Sequence, residues 1–273
     1  MTLMSDGKNK AMGKGGKTGE SSFGKHAPAI LNMAAIIAIW LVLTEGGLVP
    51  SYMLPSPIAV MKAFVTDFPT LMYHSGVSLL EAFLGLVIGI ALAFVMAILM
   101  DRFRTCYRAL YPVMVITQTI PTVAIAPILV LWMGFGMAPK ITLVVISTFF
   151  PIAVGLLDGF AEADKDAIDL LRSMGATRKQ IFLQIKFPSA LGQFFSGLKI
   201  SASYSVVGAV VAEWLGGFKG LGVYMTRVRK AYSFDKMFAV IILIVIISLL
   251  LIAFVNLLRR AVMPWEHIKD HEK

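Results

Sequence analysis

The residues of this chain that could take part in chemistry are few, and three of them interrupt strongly apolar segments. These are Glu81, Lys199 and Glu213. Ionisable groups are costly in lipid, so such positions are candidates for a solute or ion path. Lys199 and Glu213 lie 14 residues apart, roughly 21 Å along a helix, so they cannot pair with each other. We expect Glu213 near the wet outer end of its segment. Glu81 either marks a substrate preference or pairs with Lys199.

No set of residues in the sequence indicates an active site. The four histidines, His26, His74, His267 and His271, lie in predicted loops or tails without metal-ligand spacing, and we expect them on the solvated surface. The single cysteine, Cys106, excludes an intramolecular disulfide and a cysteine-based metal cluster. No Ser-His-Asp set or carboxylate pair is legible, so the sequence predicts neither an enzyme nor a metal site.

A glycine- and lysine-rich stretch near the start of the chain imitates a phosphate-binding loop. Residues 11–18 fit the permissive pattern of Ala or Gly, four residues, then Gly-Lys-Ser/Thr. A working loop needs a buried strand before it and a helix after it, so that backbone amides converge on phosphate. Polar residues lie on both sides here. We therefore attribute the match to chance and expect no nucleotide site in this chain.

Two prolines break the third apolar run. Pro121 and Pro127 each lack a backbone donor and free the carbonyl group four residues before them. Free carbonyls at membrane depth are tolerated only against protein or a water-filled cavity. The break is therefore either a structural kink or part of a translocation path lined by Gln118, Thr119 and the backbone around Pro121.

A polar segment, from about residue 161 to 188, predicts two short helices joined at a glycine. The apolar residues of the first helix fall on one predicted face: Ala167, Ile168, Leu170, Leu171 and Met174. Gly175 stands at the position of a left-handed C-cap, and Thr177 with Gln180 fits a capping box. We expect the second helix to stop at Pro188. Such a knob either packs on its own protein or docks a partner.

The composition indicates that lipid is the solvent around most of the chain. Hydrophobic residues make up 58% of the 273 and charged residues 15%, with a mean hydropathy of +0.79. A soluble domain is nearer about 45–50% apolar and about 25% charged. Six runs are long enough to cross roughly 30 Å of hydrocarbon: about Ala27–Gly47, Val77–Met100, Tyr111–Phe135, Ile141–Phe160, Leu191–Leu215 and Met237–Leu258. We therefore expect an all-α membrane bundle spanning 27–265, with polar tails at 1–26 and 266–273.

The fifth run is the least apolar but has the pattern of a helix buried in a bundle. Ser201, Ser205, Gly208 and Ala212 fall on one helical face. Small residues let transmembrane helices approach closely. We expect this span inside the bundle, away from lipid, with Ser201 and Ser205 as candidates for the translocation path.

Lysine and arginine residues predict the orientation of the spans. With both termini in the cytoplasm, the inner segments carry 17 positive residues and the outer segments seven, Lys140 among the latter. Cys106 then faces the cytoplasm. This bias also explains the net charge of +9 without nucleic-acid binding. The amphipathic stretch 50–72 is expected to lie along the outer membrane interface.

Seven residues of the polar segment keep the spacing of a known loop: Asp169, Leu170, Leu171, Gly175, Ile185, Phe187 and Pro188. The segment resembles the loop of binding-protein-dependent ABC transporter permeases, which reads E-A-A, three residues, G, nine residues, I-x-L-P. Aspartate replaces glutamate here, two leucines replace the alanines, and phenylalanine replaces the later leucine. In that family the loop forms coupling helices that insert into a cleft of the ATPase subunit.

The resemblance extends over about Leu54 to Trp265. Leu54-Pro55-Ser56-Pro57, the run 118–122 and Val211-Ala212-Glu213 look like the branch that imports nitrate, taurine, alkanesulfonates and thiamine precursors. It implies a multi-pass permease of the bacterial inner membrane that acts as a homodimer without a cofactor of its own. It also implies a cytoplasmic ATPase that uses ATP and an extracytoplasmic solute-binding protein.

The resemblance also leads to an expectation about the substrate. Glu81 stands where relatives usually have arginine, and Lys199 could be neutralised by it, which disfavours an anion path. The run 214–227 looks most like permeases of the thiamine-pyrimidine or riboflavin group. We expect a hydroxymethylpyrimidine-type vitamin precursor, with sulfonate, taurine or nitrate as the alternative. The alternative class is a secondary transporter coupled through Glu81 and Glu213.

Overall fold

The computed structural model describes residues 22–264, and these form helices without any strand. The helices are α1 Ser22–Glu45, α2 Pro57–Thr66, α3 Phe68–Arg102, α4 Arg104–Thr119, α5 Thr122–Met133, α6 Ala138–Ala161, α7 Lys165–Ser173, α8 Arg178–Ile181, α9 Phe187–Gly216, α10 Leu221–Lys230 and α11 Phe234–Val262. A π-helical turn, Phe182–Lys186, joins α8 to α9. The all-α prediction is confirmed. The phosphate-loop match at 11–18 and the histidines at 267 and 271 lie outside the described residues.

Helix α1 belongs to a compact unit of its own, which ends at Pro50, and the described residues from Ser51 onward form the second unit. The apolar part of α1, Ile30–Glu45, is shorter than the roughly 20 residues that a span needs. The first predicted span therefore stays a prediction.

Four helices of the second unit are long and apolar enough to cross a membrane. They are α3, α6, the continuous helix Arg178–Gly216, and α11. Helices α4 and α5 pass the same test only as a pair, and they are bent by 102° at the break between them. The described part of the chain thus has four candidate spans, or five if the bent pair is one, and the predicted count of six is not confirmed.

Helix α2 accounts for most of the amphipathic stretch before the second predicted span. Ser56 Oγ accepts a hydrogen bond from the Ala59 N–H at 3.3 Å, and Pro57 occupies the first turn, where a missing N–H costs nothing. Val60 and Ala63 are buried. Other apolar residues of α2 stay exposed: Ile58, Met61 and Val65. An exposed apolar face on a short helix fits a position along the membrane interface. Helix α3 then starts at Phe68, nine residues before the predicted Val77.

The core of the second unit is the contact between α6 and α9. The Ser201 hydroxyl donates to the Thr148 carbonyl at 2.6 Å. Gly197 lies against the backbone of Pro151, and Gly159 lies against Ala190, so that a side chain at either glycine would clash. The four small residues predicted to face the bundle are all buried: Ser201, Ser205, Gly208 and Ala212. The prediction that the fifth span lies inside the bundle is confirmed, because small residues allow this close approach.

The third predicted span is broken rather than kinked. Ile120 and Pro121 have extended backbone, with ψ of 122° and 128°, between the end of α4 and the start of α5. The cause is local, since a proline ring disfavours helical geometry in the residue before it. Pro127, by contrast, lies within α5.

The prediction that the second short helix stops at Pro188 is wrong. The helix continues from α8 through the π turn into α9, and Pro188 is in the first turn of α9. The Phe187 N–H donates to the Phe182 carbonyl five residues back. Such a π turn reroutes the backbone hydrogen bonds where proline cannot donate.

Candidate functional site

The polar segment between α6 and α9 has the predicted turn at its centre. Gly175 has φ of +82°, a conformation that favours glycine. Its N–H donates to the Arg172 carbonyl at 3.0 Å, and the Ala176 N–H donates to the Leu171 carbonyl at 2.9 Å. These two bonds make a Schellman motif, which ends α7 and fixes the direction of the following chain.

The same segment is held rigid by a second cap, a small core and an ion pair. Thr177 and Gln180 form the predicted capping box at the start of α8. Six apolar side chains pack together beneath it: Ala163, Ile168, Leu171, Ala176, Ile181 and Ile185. Lys186 Nζ lies 2.6 Å from Asp101 Oδ1, which ties the segment to the end of α3. Phe182 packs on Phe160 and Phe187.

The first short helix points part of its apolar surface away from the protein. The predicted apolar face is only partly covered by this chain, because Leu170 is 62% exposed and Met174 is 74% exposed, whereas Ile168 is buried. Asp169 pairs at the surface with Arg172 at 2.8 Å. Exposed apolar side chains on a helix that is fixed by caps and packing are suited to docking another protein. We call residues 161–188 the coupling segment.

At the opposite end of the spans, Glu81 is neutralised by Lys140. Lys140 Nζ lies 2.7 Å from Glu81 Oε1, and both side chains are almost fully buried. Lys140 was predicted in an outer loop, and Lys199 was considered as the partner of Glu81. Both are corrected here, because α6 already begins at Ala138. The other Glu81 oxygen, Oε2, has no hydrogen-bond partner within residues 22–264.

Three side chains cap the start of α10 next to this pair. His74 Nδ1 accepts from the Gly220 N–H at 3.0 Å, Ser78 Oγ from the Leu221 N–H at 2.8 Å, and Glu213 Oε2 from the Gly222 N–H at 2.6 Å. All three residues are almost fully buried, with exposed fractions of 5% for His74, 2% for Ser78 and 1% for Glu213. The predictions that Glu213 and His74 are solvated are therefore wrong. Their burial is compatible with their polarity because each is hydrogen-bonded.

Ser78 also bonds directly to Glu213. Its hydroxyl lies 2.6 Å from Glu213 Oε1, and the carboxyl groups of Glu81 and Glu213 are near enough to interact electrostatically. Two buried carboxyl groups and one buried ammonium group thus connect α3, α6 and α9 with the start of α10. We call Ser78, Glu81, Lys140 and Glu213 the buried polar cluster.

A second anchor fixes α10 from outside the spans. Asp67, between α2 and α3, accepts hydrogen bonds from the Tyr224 hydroxyl at 2.5 Å and from Lys236 at 2.8 Å. The hydrogen bond from Lys236 lowers the pKa of Asp67 below its ordinary value most, and the hydrogen bond from Tyr224 lowers it further. Burial, with Asp67 nearby, raises the pKa of Tyr224.

Two of the residues predicted to line a path, Glu81 and Glu213, lie close together in the buried polar cluster. The others make no hydrogen bond with this pair within residues 22–264: Gln118, Thr119, Lys199, Ser201 and Ser205. Gln118 Nε2 donates to the Ile146 carbonyl at 3.4 Å, and Thr119 lies exposed beside the break at Pro121. Ser201 and Ser205 are buried on the inner side of α9. Lys199 is half-buried on another side of the same helix.

Within residues 22–264, no group of three or more His, Cys, Asp or Glu residues could hold a metal ion. The carboxyl groups of the buried polar cluster are used in the contacts just described. The arrangement can hold helices and a docking surface in place.

Comparison with known proteins agrees with this arrangement. The family described as "Binding-protein-dependent transport system inner membrane component" matches residues 85–265. A probable ABC transporter permease protein of Haemophilus influenzae is 37% identical over 222 residues, covering 81% of this chain and 91% of the relative. The formylaminopyrimidine transport permease protein ThiX of Halalkalibacterium halodurans is 35% identical, covering 78% and 86%. Relatives at lower identity include aliphatic sulfonate and taurine transport permease proteins.

The fold is also similar to that of a solved transporter. The inward-facing methionine ABC transporter MetNI matches with a TM-score of 0.57 and 22% identity, over 71% of this chain and 95% of the other. At this identity the likeness concerns the fold alone.

Proposed function

Because this chain belongs to the family of binding-protein-dependent transport system inner membrane components, we propose that it is the membrane-spanning subunit of an ATP-driven importer. The observation that carries the proposal is the coupling segment. Leu170 and Met174 are exposed on a helix whose position is fixed by Gly175, Thr177 and Lys186. A rigid apolar knob of this kind transmits a movement of its partner to α9, with which it is continuous.

The partners follow from the family. A cytoplasmic ATPase would bind the coupling segment and use ATP, and an extracytoplasmic solute-binding protein would deliver the solute. This chain would supply the path and the lever, and no cofactor of its own is needed. The coupling segment would face the cytoplasm of a bacterial cell, with both termini on that side.

A second copy of this chain would complete the path. Gln118 and Thr119 at the break in the third span, and one side of α9, are open to the surroundings of the single chain. Polar groups at membrane depth need protein or water beside them. In a homodimer the second copy would place protein and a water-filled path beside these polar groups. Cross-linking of the assembled transporter would detect the homodimer.

The substrate we propose is a formylaminopyrimidine-like vitamin precursor. The support is the 35% identity to a permease named for formylaminopyrimidine transport. Glu81 pairs with Lys140 and therefore leaves Lys199 unneutralised, so the charges of the spans do not disfavour an anionic solute. A sulfonate is therefore the second candidate. The secondary-transporter alternative receives no support, since Glu81 and Glu213 are engaged in fixed contacts with Lys140, Ser78 and Gly222.

The experiment is co-purification with the ATPase subunit. Leu170→Asp combined with Met174→Asp should abolish co-purification and ATP-driven uptake, because charges replace the exposed apolar surface. Lys62→Asp, at an exposed residue of α2 outside the coupling segment, is the control and should retain co-purification. Normal co-purification of the double variant would overturn the assignment of the coupling segment.

A further inference from the structure

Lys199 lies inside a span, and its positively charged side chain has no partner within the described residues. It is half-buried in α9 and makes no hydrogen bond or ion pair with residues 22–264. Ser196 and Ser203, three residues before and four residues after it, lie on the same flank of the helix, so the three side chains are neighbours. Ser196 is exposed and Ser203 is half-buried. One flank of α9 thus carries a lysine between two hydroxyl groups.

The depth of Lys199 follows from its neighbours. The Ser201 hydroxyl bonds the Thr148 carbonyl, and Gly89 packs against Thr148, so these residues lie at one level. Helix α3 has no charged residue between Glu81 and Asp101, and Gly89 is near the middle of that stretch. Lys199 therefore lies roughly 15 Å, measured along the helices, from the level of Glu81 on one side and from the level of Asp101 on the other. A lysine at this depth faces water or a counter-charge rather than lipid.

The counter-charge does not come from residues 22–264 of this chain or from the same residues of a second copy. Glu81 is paired with Lys140, and Glu213 accepts from Ser78 and Gly222. The remaining acidic residues of the described spans lie close to helix ends: Asp101, Asp158 and Asp235. A second copy would bring the same occupied carboxyl groups.

We propose that Lys199, flanked by Ser196 and Ser203, forms a solute subsite in the translocation path, and that its ammonium group donates hydrogen bonds to an acceptor oxygen of the solute. The Ser196 hydroxyl donates to the Gly192 carbonyl at 3.0 Å, so Ser196 lines the subsite as an acceptor. The inference rests on the proposed importer function and deepens it. The oxygen belongs either to an anionic group such as a sulfonate or to a polarised carbonyl such as a formyl group. A charged donor strengthens both kinds of hydrogen bond.

The first test measures the local potential without any solute. Ser196→Cys is made in a Cys106→Ser background of the complete transporter, and its reaction with an anionic and a cationic water-soluble methanethiosulfonate is timed. With Lys199 about 6 Å away, the anionic reagent should be favoured about tenfold. The preference should vanish with Lys199→Met and persist with Lys199→Arg. Leu250→Cys, on the exposed apolar face of α11, should not react. An unreactive Ser196→Cys, or a preference that survives Lys199→Met, would overturn the subsite.

The second test distinguishes the two kinds of solute. Lys199→Met should lower uptake at least about tenfold, while ATPase activity stimulated by the solute-binding protein persists. Lys219→Met removes an exposed cation outside the spans and serves as the control. Selective loss of alkanesulfonate uptake identifies the anion, and selective loss of formylaminopyrimidine uptake identifies the carbonyl. Unchanged uptake of both overturns the proposal. If the unaltered transporter carries neither, the proposed substrates are wrong, and the thiol measurement still decides the subsite.

Discussion

Replacing Lys140 by methionine should be among the most destabilising single changes in this chain. Lys140 is 5% exposed and Glu81 is fully buried, and their side chains meet at 2.7 Å. The variant leaves the Glu81 carboxylate without its cation and close to another buried carboxyl group, that of Glu213. Removing one partner of a buried ion pair typically costs about 3–5 kcal/mol, because the remaining charge keeps its desolvation penalty. We expect a loss of that size in the free energy of unfolding.

The double variant Lys140→Met with Glu81→Met separates this cause from a simple packing defect. Replacing a buried ion pair by apolar residues of similar size is often neutral, or stabilising by about 1–4 kcal/mol. Unfolding by increasing fractions of sodium dodecyl sulfate in mixed micelles measures the free energy of unfolding of the unaltered protein, both single variants and the double variant. Lys62→Met, at an exposed lysine of α2, is the control. The reasoning is refuted if Lys140→Met costs less than about 1 kcal/mol, or if the two single changes are additive.

Three further predictions concern the ends of the helices. Gly175→Val should reduce co-purification of the ATPase and abolish uptake while membrane insertion survives, because φ of +82° excludes a β-branched residue. Gly175→Asn should have a milder effect. Full uptake by the valine variant would contradict the role of Gly175. Asp67 has a pKa below its ordinary value of about 3.9, so its contribution to stability is present above that pH and lost as the pH falls through the lowered pKa. Asp67→Asn should remove this acid-dependent step, and a stability profile identical to that of the unaltered protein would count against the anchor. An impermeant thiol reagent should label Cys106 in inverted vesicles but not in intact cells, and labelling from outside would reverse the proposed orientation.

The local features of the coupling segment were predictable from sequence. Gly175, Thr177 and Gln180 act through backbone contacts within a few residues, so their types and spacing are sufficient. Pro188 was misread because a proline normally ends a helix, whereas a π turn before it lets the helix continue. The exposure of Leu170 could not be predicted from sequence, since the spacing of hydrophobic residues does not distinguish a buried face from a docking surface.

The buried polar cluster was not predictable, because its members come from three spans. Lys140 and Glu81 are 59 residues apart, and Ser78 and Glu213 are 135 apart. One signal for Lys140 was available. Pro139 stands in the first turn of α6, where proline is common, and this marks Lys140 as helical rather than as a loop residue. The fully buried state of His74 had no comparable signal, since it depends on the amide of Gly220.

The most direct test of the importer assignment is uptake into proteoliposomes that contain this chain, its ATPase subunit and its solute-binding protein. Uptake of the bound solute should require ATP inside the vesicles and should stop when the nucleotide-binding lysine of the ATPase subunit is replaced. It should also stop with the Leu170→Asp and Met174→Asp double variant, whose coupling segment cannot dock. Uptake that continues without ATP, driven by an ion gradient alone, would contradict the account.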